Sequence, residues 1–124
     1  MAMDIKDIAG DIEKALEATK SWAETGWPMT FGKPQRSVNT LKDANGLEES
    51  FVYRQEAQSY WRRVKEAGGE AVSWGERALS ALKKGDIKDA DDSLYFAVYL
   101  ERPIRGDAPV WGPVYKKFRQ HVAS

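Results

Sequence analysis

Residues 71–103, AVSWGERALSALKKGDIKDADDSLYFAVYLERP, decide the fold, because they read as two helices folded back on each other across Lys84-Gly85-Asp86. Gly85 has no Cβ and can take the left-handed conformation that ends a helix. The Asp86 carboxylate follows at once and suits the free N–H groups that open the next helix. The run Ser93–Leu100 contains strand-favouring residues, but Leu94, Ala97 and Val98 continue the helical stripe begun by Ile87 and Ala90. The segment is therefore predicted as an antiparallel helical hairpin.

Outward from the hairpin, three more segments carry helical periodicity. Ile5, Ile8, Ile12, Ala15, Leu16, Thr19 and Trp22 recur at three- and four-residue intervals, with Asp4, Asp7, Asp11, Lys14 and Glu17 opposite them, which predicts an amphipathic helix ending near Gly26. Phe51, Arg54, Ala57, Tyr60, Trp61 and Val64 share a broad face of a second helix over about 47–67, ended by Gly68-Gly69. Trp111, Val114, Tyr115, Phe118 and Val122 mark a last helix from near Pro113 or slightly earlier, after a connector of Pro103, Gly106 and Pro109. Between Gly26 and Gly46, Pro28, Gly32 and Pro34 interrupt any period, so this stretch is predicted as a long ordered loop. The expected fold is all-α: one domain over residues 1–124, an antiparallel bundle of about five helices, each burying an apolar stripe.

The hairpin resembles one tetratricopeptide unit. Trp74 and Ala78 stand where that repeat has its first-helix Trp and small residue, and Ile87, Ala90, Leu94 and Ala97 occupy its second-helix positions. Arg77 replaces the usual Leu, Ala81 replaces an aromatic, and Pro103 falls one position late. The likeness covers about a quarter of the chain and has no second copy one period earlier, where Thr40 would have to be the Trp. It implies a helical hairpin and no function, since a peptide-binding groove takes about three stacked repeats.

Composition excludes several functions. With 124 residues, 42% of them hydrophobic, the chain is long enough to bury a core. Nineteen basic residues balance nineteen acidic ones, so no overall field selects nucleic acid or anionic membrane. The absence of cysteine removes disulfides, thiolate metal ligands and a thiol nucleophile, and suits a reducing compartment. The opening Met1–Asp7 lacks a basic stretch followed by an apolar one, so no secretory signal is expected. The longest apolar run, Tyr95–Leu100, is far below the ~20 residues that span a bilayer. A cytoplasmic protein is the default expectation.

Catalytic chemistry finds little support. His121 is the only histidine and has no second imidazole or thiolate with which to share a metal. No phosphate-binding loop, dinucleotide glycine pattern or nucleophile elbow is present. The acidic group Asp86, Asp89, Asp91 and Asp92 lies on a helix start, where capping and dipole compensation explain it without an ion. The expectation is a non-enzymatic protein with no cofactor and no metal.

Three sets of residues are candidates for binding. Trp27, Met29 and Phe31 lie in the irregular segment, off any helical stripe; such a loop either folds onto its own bundle or presents an apolar patch, and as a patch it is the expected contact with a protein partner or a second copy. A small-molecule pocket would instead gather Tyr60, Trp61, Tyr95 and Tyr99, with Arg54 or Glu101 as a buried charge. The third set, Arg102, Arg105, Trp111, Tyr115, Lys116, Lys117 and Arg119, pairs cations with rings as single-stranded nucleic-acid sites do. Its rings also form a plain core stripe, and the balanced overall charge argues against that use. The leading expectation is a helical protein-interaction module.

Overall fold

The computed structural model describes residues 5–123; Met1–Asp4 and the Ile5 side chain, read above as the start of the first amphipathic stripe, lie outside the described residues. Helix α1 (Ile5–Thr25) leads to a two-stranded antiparallel ribbon, β1 (Met29–Phe31) and β2 (Arg36–Val38), and a short helix α2 (Leu41–Asn45). Then come α3 (Phe51–Lys84), α4 (Ile87–Arg105) and α5 (Trp111–Ala123). Helix makes up 77% of the described residues, so the fold is all-α.

The hairpin forms as its turn residues dictate. Gly85 ends α3 at φ 77°, and the N–H groups of Gly85 and Asp86 donate to the carbonyls of Leu82 and Ala81. The Asp86 carboxylate then accepts from the Asp89 N–H at 3.1 Å and caps α4. Small residues let the two helices approach closely, with Ala78, Ala90 and Ala97 fully buried around Leu94.

Helices α1, α3, α4 and α5 form an antiparallel up-down-up-down bundle. Residue pairs from opposite ends establish the directions: Asp11 meets Lys117 while Thr19 meets Trp111, and Asp91 meets Tyr115 while Glu101 meets Trp111. One core cluster fills this bundle around Ile8, Ile12, Leu94, Trp111 and Phe118. A second cluster, Trp22, Val38, Ala44, Leu47, Trp61 and Val64, packs the ribbon and α2 against the first half of α3.

Three boundaries differ from expectation. Gly68-Gly69 does not end a helix; α3 runs through both for 34 residues, about 51 Å at the α-helical rise, and spans the two cores. Each glycine weakens the helix locally, but a Cβ on Gly68 would stand 2.3 Å from the Ala23 Cβ, so the close approach of α1 and α3 requires it. Residues 26–46 are not a simple loop but hold the ribbon and α2, whose Thr40 cap accepts from Asp43 N–H at 3.1 Å. Helix α4 continues past Pro103 to Arg105; a proline in the last turn removes one helical hydrogen bond and leaves the remainder.

Candidate functional site

The outward side of α4 carries a band of exposed rings. Tyr95, Phe96 and Tyr99 are 53%, 42% and 63% exposed, although the bundle core lies one helical face away. Neighbouring helices hold two of them in place. Trp74 of α3 stacks on Phe96 at 4.7 Å and 24°, and Tyr115 of α5 meets Tyr95 edge-on at 6.2 Å. The Tyr115 hydroxyl is fixed by donating to Asp91 at 2.8 Å, and Arg77 lies 5.3 Å over the Trp74 ring while making a bidentate pair with Asp89. Asp92 and Arg102 bracket the rings, both exposed, and no salt bridge among the described residues engages either one.

Sequence reasoning named Tyr95 and Tyr99 as pocket residues and placed Asp92 and Arg102 in two separate charged groups, an acidic helix start and a basic segment, but missed Phe96 and the common face. The signal was present: positions 92, 95, 96, 99 and 102 follow the i, i+3, i+4, i+7 rule of one helix face. Tyr95–Leu100 is apolar throughout, however, and only packing shows which half faces water.

The 26–46 segment divides its aromatic residues. Trp27 and Met29 are 61% and 43% exposed, whereas Phe31 is half-buried beside Tyr60, with ring centroids 6.4 Å apart. The segment is tied to α3 twice: the Tyr60 hydroxyl donates to the Trp27 carbonyl at 2.6 Å, and the Trp61 indole N–H donates to the Val38 carbonyl at 3.2 Å. Met29, Phe31, Val52 and Tyr60 line an open cleft of about 670 Å³ that also exposes Arg62 and Arg63.

The six residues expected to line one aromatic pocket do not converge. The Tyr60 and Trp61 rings meet edge-on at 5.2 Å, but Trp61 is buried in the second core while Tyr60 also faces Phe31 of the ribbon, and neither meets Tyr95. Tyr60 and Tyr99 share only a shallow groove of about 260 Å³ with Arg63 and Pro103. Tyr95 lies farther along α4 against Tyr115, and Arg54 sits 5.9 Å over the exposed Phe51 ring.

Glu101 is buried, but in another role. Its carboxylate accepts from the Trp111 N–H at 2.7 Å and from the Val110 N–H at 3.1 Å, so α4 supplies the N-terminal cap of α5. Burial pushes the Glu101 carboxyl up from its ordinary range, and the two N–H donors and Arg105 pull it part of the way back.

Several of the other charged residues singled out in the sequence are likewise engaged. Asp86 caps α4, Asp89 holds Arg77, and Asp91 holds Arg119 and Tyr115. No group of three or more potential metal ligands occurs among the described residues. In the basic 102–119 segment the expected stacking ring Trp111 is fully buried, Lys117 pairs with Asp11, and Arg119 pairs with Asp91. No described helix is long and apolar enough to cross a membrane. No family model matches this chain, and no curated protein or solved structure is detectably similar to it.

Proposed function

We propose that this protein is a non-enzymatic helical assembly module that pairs with a second copy of itself through the outward face of α4. The observation that carries this reading is the order of residues along that face: Asp92, then Tyr95, Phe96 and Tyr99, then Arg102, all exposed. Exposed rings in one band are what partner-facing surfaces favour, and Trp74 and Tyr115 hold these rings so that little freedom is lost on docking.

The charges select the partner. A two-fold axis reverses the second helix and lays each residue of one protomer against its mirror position in the other. With the axis at the level of Ala97, Tyr95 meets Tyr99 of the partner subunit and Asp92 meets Arg102 of the partner subunit, twice by symmetry. Asp92 and Arg102 are ten residues apart, about 15 Å along a helix, so the two ion pairs bracket the rings. The exposed Met29 on the ribbon and Trp27 in the bend before it lie outside this face.

Light scattering over a concentration series tests the proposal. The wild type is expected to dimerise, Tyr99→Ser and Asp92→Arg to dissociate it, and the exchanged pair Asp92→Arg with Arg102→Asp to restore it. A monomer throughout the series, or a dimer indifferent to Tyr99→Ser, overturns the reading.

A further inference from the structure

On the side of the molecule formed by α1, α2 and α3 lies an open cleft of about 760 Å³ with no residue from α4 in its wall. Its apolar surface comes from Ala23, Leu41, Val72 and the edge of Trp61. Three lysines rim it, one from each helix: Lys20, Lys42 and Lys65. A single carboxylate, Glu24, faces them. Lys20 makes one exposed 3.4 Å pair with Glu17, and Lys42 and Lys65 make no salt bridge among the described residues. The rim is therefore positive in a protein whose total charge is zero.

Gly69 supplies an independent observation. Glycine is the poorest helix former after proline, so two in succession near the middle of a 34-residue helix call for a physical cause. Packing against Ala23 explains Gly68. It does not explain Gly69, where an added Cβ would meet nothing within 4 Å. Gly69 instead lines the cleft, on the stripe Trp61, Lys65, Gly69, Val72 that forms its α3 wall. A side chain there would project into the space between the lysines and the apolar floor.

The geometry points to a binding site for a small anionic amphiphile, with its carboxylate, sulfonate or phosphate head held by Lys42, Lys65 and Lys20 and its flat apolar body lying along Gly69 against Leu41, Val72 and the Trp61 edge. The volume lies within the roughly 300–1,000 Å³ usual for small-molecule sites. Lysine heads at the rim act as point charges on anions, while their methylene stems extend the apolar wall. This site is independent of the α4 face.

Fluorescence titration with 1-anilinonaphthalene-8-sulfonate tests the assignment, with the uncharged N-phenyl-1-naphthylamine as the control for hydrophobic binding alone. Saturable binding of the sulfonate is expected, with the neutral analogue at least about tenfold weaker. Gly69→Phe fills the cleft and should abolish binding while leaving the melting temperature unchanged or raised. Lys42→Glu with Lys65→Glu should weaken binding by about tenfold or more without lowering the melting temperature. Tyr99→Ser, on the opposite surface, should leave binding as in the wild type. Equal affinity for the neutral dye, binding that survives Gly69→Phe, or binding lost in Tyr99→Ser overturns the proposal. If Gly69→Phe fails to fold, the double lysine variant decides, and undiminished affinity in it has the same force.

Discussion

The indole N–H of Trp111 donates to the hydroxyl of Thr19 across 2.7 Å, joining two fully buried side chains that lie 92 residues apart in sequence. Thr19 in turn donates to the Ala15 carbonyl at 2.7 Å, so the one hydroxyl satisfies itself and the indole. Thr19→Val keeps the shape and strands the indole N–H. It is expected to lower stability by about 1–3 kcal/mol, measured by urea unfolding, with Thr19→Ser much closer to the wild type.

Glu101 gives a pH dependence whose sign is fixed. Because burial raises its pKa in the folded state, the folded protein holds the Glu101 proton more tightly than the unfolded chain does. The stability linked to that proton is fully present below the ordinary value of 4.5 and is lost as pH rises through the higher folded value. Unfolding free energies of the wild type, taken relative to Glu101→Gln, should therefore fall as pH rises from the unfolded value through the higher folded one. A relative rise would mean that the N–H groups of Val110 and Trp111 outweigh burial. Glu101→Ala leaves both donors without an acceptor and should cost about 1–3 kcal/mol.

Trp27 and Phe31 should respond differently to the same change. The Trp27 side chain is exposed and its anchoring contact is made by its carbonyl, which any residue retains. Trp27→Ser is expected to shift stability by no more than about 0.5 kcal/mol. Phe31 packs beside Tyr60 and against the second core, so Phe31→Ser should cost more than about 1 kcal/mol. Thermal melts of the two variants side by side make the comparison, and equal losses would refute it.

Gly68 and Gly69 should also separate, in opposite directions. Gly68→Ala drives a methyl against Ala23 and is expected to destabilise by about 1–3 kcal/mol. Gly69→Ala meets open space and should stabilise by about 0.5–1 kcal/mol through helix propensity. Urea unfolding of the two variants is the check.

Local patterns in the sequence were enough for most of the secondary structure. The periodic stripe of α1 is buried from Ile8 to Trp22, and the turn at Gly85-Asp86 has the cap expected of those two residues. The ribbon was not legible, because Met29–Phe31 and Arg36–Val38 are three residues each, too short for a period of two to register. The continuity of α3 was not legible either, because the fit of Gly68 to Ala23 depends on another helix.

The sequence by itself determined that the chain is an all-α bundle, through apolar spacing, one left-handed glycine and one capping aspartate; these act over a few residues and so are written into short stretches of chain. Tertiary structure alone decided the use of individual side chains. Trp111 and Tyr99 are both aromatic residues on predicted helices, yet one is sealed in the core beside Thr19 and the other faces solvent between Asp92 and Arg102. Glu101 reads as a candidate pocket charge until α5 brings two N–H groups to it. Burial and pairing are properties of the neighbours a residue acquires, and those neighbours come from distant parts of the chain that no local pattern specifies.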